Sequence, residues 1–206
     1  SLTNITLRRN GLASIYQSHA SNLNPLLRHI EARENGWRSI GTPGLCAGFS
    51  LNMLGGEIGW CLMDNNGQGG DSGGHEHAIY LNHQLDGGPE LHHCIAINHA
   101  KGYAFKSRGG FYGHDNQGFN CAWGLFDLEG NGAGNINIRL LRNVGAFNAT
   151  AGGAGMFVQK DTGSISLRCY HLTLHQNSGG GSSGEINVNS DLDLLDIRNA
   201  IVSAVA

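Results

Sequence analysis

Apolar and polar residues alternate along the chain in short segments, and each segment closes on an asparagine. Seven such segments run from Ile5-Thr-Leu7 ahead of Asn10, through those ahead of Asn35, Asn65, Asn98, Asn116 and Asn143, to Leu172-Thr-Leu174 ahead of Asn177. Five residues before the asparagine six of the seven positions are apolar, and three before it all seven are apolar or glycine. A period of two predicts strands with one buried face. A second strand follows each asparagine after a glycine-containing corner, at 14–17, 39–42, 78–81, 104–107, 124–127, 156–159 and 185–188. Its second residue is always apolar: Ile15, Ile40, Ile79, Phe105, Leu125, Phe157 and Ile186 are the expected inward positions.

The asparagines lie 25, 30, 33, 18, 27 and 34 residues apart. No amphipathic helix intervenes, so the repeat is one turn of a solenoid with loops of variable size. The expected fold is all-β, a single right-handed parallel β-helix domain over residues 1–206 with about seven coils. Equivalent apolar side chains stack into internal ladders. An asparagine at one corner of each coil passes an amide hydrogen bond to the next, which satisfies backbone groups that the corner would otherwise orphan. A β-sandwich is the competing architecture, but its strands have no reason to keep one asparagine per turn.

The ladder from Asn10 to Asn177, with the strands after it, resembles the pectate-lyase-like superfamily of right-handed parallel β-helices, which includes polysaccharide lyases, alginate epimerases and phage tailspikes. The resemblance covers residues 2 to about 199. It implies an extracellular or cell-surface protein whose partner is a polysaccharide, and it implies no particular activity.

Composition narrows the partners further. Charged residues are 14% of the chain against 33 glycines and 21 asparagines, and the net charge is −3. There is no basic field to hold nucleic acid, and no apolar run long enough for a membrane-spanning helix. Five cysteines without a CxxC spacing exclude a simple disulfide framework. Cys61 and Cys94 fall at equivalent positions of successive coils, as a stacked disulfide or as free thiols. Leu2 opens a strand at once and the tail from Ala200 is apolar. Such bare ends are expected to stack end to end, or to continue into a longer chain.

The candidate chemistry sits on the outward parity of the second strands. Tyr16, Tyr80, Lys106, Phe126, Val158 and Asn187 form one expected exterior column, with Ser18, Asn82, Arg108, Leu128, Lys160 and Asn189 beside it. Lys106 is a candidate general base with a pKa lowered by Arg108, Arg108 a holder of a uronate carboxylate, Tyr80 a proton donor, and Phe126 or Tyr80 a platform for a sugar ring, with Asn82 alongside. In the resembled lyases Lys and Arg perform such roles. His75 and His77, on the loop before Tyr80, are a second choice of base, and with Asp71 a conceivable metal set whose spacing does not define three ligands. No cofactor is expected. Calcium is disfavoured because Asp127 is expected to point inward and Glu129 to lie beyond its strand. His92, His93, His114 and His171 are taken as surface residues.

Three functions remain open: a lyase or C5-epimerase acting on an acidic polysaccharide, a noncatalytic glycan-binding or tailspike-like module, and a structural solenoid that assembles into a filament.

Overall fold

Among the described residues fifteen other than glycine have positive φ, all between 50° and 59°, and they occur at two corners of the successive coils. The first corner carries Asn4, His29, Trp60, His93, Asp115, Arg142, His171 and Asn199. The second carries Arg9, Glu34, Asn65, Asn98, Asn120, Phe147 and Gln176. A left-handed residue is disfavoured for an L side chain. Here a single one redirects the chain between two strands, pointing its own side chain outward and the next residue inward. The computed structural model in which this is seen describes residues 1–10, 13–17, 24–35, 47–67, 76–83, 85–130, 134–148, 153–160, 163–177, 184–189 and 192–203.

The corners divide each coil into three faces, and every strand pairing among the described residues is parallel. The first face stacks Glu57–Gly59, Glu90–His92, Phe111–His114, Asn135–Leu141, Ser164–Tyr170 and Leu194–Arg198. The second stacks Leu62–Asp64, Ile95–Ile97, Gln117–Phe119, Val144–Ala146, Thr173–His175 and Ile201–Ser203. Leu2–Arg8 and Leu26–Arg33 bend at Asn4 and His29 and so belong to both faces, joining them into one 14-stranded sheet. The third face is a separate seven-stranded sheet: Ile15–Tyr16, Phe49–Leu51, Ile79–Leu81, Tyr103–Ser107, Gly124–Gly130, Met156–Lys160 and Ile186–Val188. Five of its strands have neighbours on both sides, so about five turns are fully stacked, against the seven expected from the asparagine count. No helix among the described residues is long and apolar enough to cross a membrane.

Asparagine ladders line both inner corners rather than one. At the second corner Asn10, Asn35 and Asn66 stack. The backbone N–H and Nδ2 of Asn35 both donate to Asn66 Oδ1, at 3.0 and 2.9 Å, and Asn66 Nδ2 donates to the Ala32 carbonyl at 2.8 Å. Asn148 and Asn177 continue this column, with His99 and Cys121 between. Asn116 and Asn143 belong to the first corner, where Asn116 donates to Asn143 Oδ1 at 3.0 Å. Asn65 and Asn98, expected in the ladder, are instead the left-handed residues just outside it. The irregular spacings of 18 and 34 residues arise because Asn116 and Asn143 belong to the first corner whereas Asn98 before them and Asn177 after them belong to the second. From Asn35 onward each laddered amide is buried and hydrogen-bonded, so it closes the ring of backbone groups that the corner interrupts.

The core is the stack of inward side chains from all three faces. On the third face it runs Ile15, Phe49, Ile79, Phe105, Phe126, Met156 and Ile186. The expected strand at 39–42 lies outside the described residues, and Phe49–Leu51 fills that place. Two registers are corrected by one residue. Leu125 packs into the corner against Gly118 and Gly145, where a Cβ would approach its side chain to 2.6 and 2.8 Å. Both the Leu125 and Phe126 amides donate to the Gly155 carbonyl, at 2.9 and 3.1 Å. Phe126 therefore takes the core position against Phe105, ring centroids 5.6 Å apart, and the next strand follows with Met156 inward and Phe157 outward. Cys61, Cys94, Cys121 and Cys169 are buried free thiols, so Cys61 and Cys94 form no disulfide.

Candidate functional site on the outer faces

The register correction rearranges the site expected on the third face. Its outward column runs Tyr16, Ser50, Tyr80, Lys106, Asp127, Phe157 and Asn187. Phe126, expected as a sugar platform, is fully buried in the core, and Asp127, expected inward, stands beside Lys106. Lys106 Nζ donates to Asp127 Oδ2 at 2.8 Å and to Glu129 Oε1 at 2.5 Å, and Arg108 Nε donates to Glu129 Oε2 at 3.1 Å. Two cations thus neutralise two carboxylates. The aromatic face of Tyr80 lies 5.9 Å from Lys106 Nζ and 5.5 Å from the Arg108 guanidinium.

This cluster is sealed. Lys106 is 6% exposed, Asp127 3% and Tyr80 1%. Burial raises the Asp127 carboxyl to about 6 against the opposing pull of Lys106, and burial also raises the Tyr80 hydroxyl well above its ordinary range. Tyr80 donates its O–H to Asn82 Oδ1 at 3.0 Å. His77, expected as a base over an open groove, is fully buried. Its Nδ1 accepts the Tyr103 N–H at 3.0 Å and its ring packs against Tyr80, Tyr103 and Trp123. Removing the Lys106 proton to make a base would leave two buried carboxylates short of a counter-charge. The geometry is that of an ion network bracing the outer wall. Asp71, His75 and Ser18 lie outside the described residues.

The first face is open where the third is closed. Its outward column runs Glu57, Glu90, Tyr112, Arg139, Arg168 and Asp196, one residue per coil, and the parallel column two residues on includes His92, His114, Leu141, Tyr170 and Arg198. A trough of about 410 Å³ is lined by Asp86, Tyr112, Asn137 and Arg139. It continues past Tyr112 and Arg139 into a second hollow of about 360 Å³ beside Arg168 and Tyr170. Arg139 and Arg168 are direct neighbours in register, about 4.8 Å apart along the sheet. Like charges placed directly opposite one another destabilise a sheet. Among the described residues neither guanidinium is within salt-bridge distance of a carboxylate.

The rim of the trough is pinned by local polar contacts. Asp86 accepts the N–H and Nδ2 of Asn137, both at 2.8 Å, and these bonds hold its carboxyl below the ordinary range despite the opposing effect of burial. Tyr170 donates to Asp196 at 2.9 Å beneath the Arg198 guanidinium. Tyr112 is 37% exposed and presents its ring to solvent beside Arg139. These residues were not among the candidates read from sequence. A signal was there: the two longest alternating runs, 135–141 and 164–170, each place an arginine at the fifth residue of the run.

Fold and faces define a parallel β-solenoid with one braced and one open outer wall. No family model, curated protein or solved structure matches the chain.

Proposed function

We propose that this solenoid binds an acidic polysaccharide along the first face, as a glycan-binding module. The observation that carries the reading is the pair Arg139 and Arg168, two guanidinium groups in register that make no salt bridge among the described residues and feel Asp86 and Asp196 only through space, at the floor of an open trough beside the exposed Tyr112 ring. Planar guanidinium forks match carboxylates bidentately, and a tyrosine ring supplies a flat apolar face for a sugar. The trough runs along the stacking axis, so successive coils meet successive residues of an extended polymer. The resemblance to pectate-lyase-like β-helices points to the same class of ligand. No general base is assigned to the trough.

The test is titration of the whole chain with polygalacturonate, alginate and an uncharged glucan, with absorbance of unsaturated product followed in parallel. Binding is expected for the two polyuronates and not for the glucan. Hydrogen bonds to charged groups contribute about 1.5–3 kcal/mol, so Arg139→Ala or Arg168→Ala lowers affinity about tenfold or more. Equal affinity for the glucan, or binding unchanged in the double variant, overturns the reading. Accumulation of unsaturated product turns it into a lyase.

A further inference from the structure

At the start of the same face, three successive coils bring six metal-ligand side chains together at the first corner: Glu57, Glu90, His92, His93, His114 and Asp115. The donor atoms of His93, His114 and Asp115 lie within 4.8 Å of one another. We propose that these three residues form a binding site for a borderline divalent metal ion of the zinc class. Two imidazole nitrogens and one carboxylate oxygen suit such an ion and leave a coordination position open.

The hydrogen-bond chain around the site fixes which nitrogen faces it. The Arg28 guanidinium grips Glu57, which therefore stays a carboxylate and only accepts. His92 Nε2 must then donate to Glu57 Oε1, at 2.9 Å. A neutral His92 consequently accepts at Nδ1, and the nitrogen 3.0 Å from it is His93 Nδ1, which must be the donor. That leaves the lone pair of His93 on Nε2, the atom directed at Asp115 Oδ2 from 4.0 Å. His114 lies between two carboxylates, its Nε2 2.9 Å from Glu90 Oε1, which leaves Nδ1 facing Asp115. This atom lies 2.7 Å from Asp115 Oδ2. His93 Nε2, His114 Nδ1 and Asp115 Oδ2 thus converge on one point. A metal ion there would be held by all three side chains at once.

The supporting contacts are those expected around metal ligands. Arg142 donates to both oxygens of Asp115, at 2.7 Å each, orienting the carboxylate while leaving Oδ2 a second lone pair. Trp60 stacks on the His93 ring at 5.3 Å, and His92 stacks on His114 at 5.0 Å with planes 6° apart. Gly59 is required for the arrangement, because a Cβ there would sit 2.6 Å from the His92 ring.

The experiment strips the whole chain of metal and titrates it with Co²⁺, following visible absorption, and with Zn²⁺ by calorimetry. One ion per chain is expected, with the Co²⁺ bands abolished by Zn²⁺. His93→Ala and His114→Ala lose saturable binding, Glu90→Ala weakens it about 10- to 100-fold, and His171→Ala, at the same corner two coils beyond Asp115, leaves it unchanged. Circular dichroism checks that each variant is folded. His93 is exposed, so its variant decides the matter even where His114→Ala loses the fold. Absence of stoichiometric binding by the unaltered chain, or His93→Ala binding as tightly as the parent, overturns the proposal.

Discussion

Two outer walls of this solenoid carry basic side chains in register, and they treat them in opposite ways. On the third face Lys106 lies under cover between Asp127 and Glu129, with Arg108 closing the group and Tyr80 beneath both cations. On the first face Arg139 and Arg168 stand side by side in an open trough, with no carboxylate of a described residue in salt-bridge range. The residue types are similar and each wall has a carboxylate one coil away, so the difference lies in contact: Asp127 and Glu129 bond Lys106, whereas Asp196, in register with Arg168, forms no salt bridge with it. A solenoid brings each side chain beside residues 20 to 35 positions distant, and those neighbours decide whether a cation braces the wall or remains available to a ligand. A buried charge with its partners in place is held by what its loss would cost, because the desolvated remainder has no compensation. A pair of like charges held by no salt bridge braces the wall far less than Lys106 does, and this is why it points to an external anion.

The comparison breaks most readily at Lys106. Lys106→Met leaves Asp127 and Glu129 with Arg108 alone, and a loss of about 3–5 kcal/mol is expected, read as a lower urea midpoint with an unchanged slope. Polyuronate binding by the surviving folded fraction should not move. A loss below about 1 kcal/mol would mean that the third face is as open as the first.

The next largest effect sharpens the buried side. His83 and His99 are buried, and burial lowers each to about 4 from its ordinary 6.5 against the opposing pull of nearby backbone groups. The folded state binds the proton less readily than the unfolded chain. The stability that each neutral ring contributes is therefore complete above about pH 6.5 and is lost as pH falls towards 4. The span is about 3 kcal/mol per histidine. Unfolding free energies at pH 7 and pH 4 measure it, and His99→Asn, which puts the ladder residue back into its column, should flatten the slope by about that amount.

Asn66→Ala tests the corner that joins the second face to the braced third one. It strips the acceptor from the Asn35 N–H and the donor from the Ala32 carbonyl, for an expected loss of about 1–3 kcal/mol by the same denaturant measurement. The smallest effect belongs to the open wall: Arg139→Ala and Arg168→Ala should leave stability within about 0.5 kcal/mol of the parent. A cost of several kcal/mol there would place the arginines in the same structural class as Lys106.

Much of the architecture was legible in the chain itself. Alternation in runs such as 135–141 showed strands, and recurring asparagine showed coils, because inward stacking and corner hydrogen bonds act on residue type at every turn. Which asparagine enters the ladder was not legible. Asn65 and Asn66 are chemically identical neighbours, and only the left-handed backbone at Asn65 sends one outward and the next inward. The candidate site suffered from the same ambiguity. Leu125 and Phe126 are both apolar and both buried, so the parity of Gly124–Gly130 stayed undetermined until Leu125 found its space against Gly118 and Gly145. That single step carried Asp127 out to Lys106 and Phe126 into the core.

The sequence by itself therefore determined a parallel solenoid with polar corners, since period and composition are properties of the chain. Tertiary structure alone decided which charges meet. Register between coils depends on loop lengths and on how one side chain fills a corner, and a shift of one residue exchanges inside for outside along a whole strand. The pairing of Lys106 with Asp127, the bare pair at Arg139 and Arg168, and the convergence of His93, His114 and Asp115 are all consequences of stacking distant residues about 4.8 Å apart.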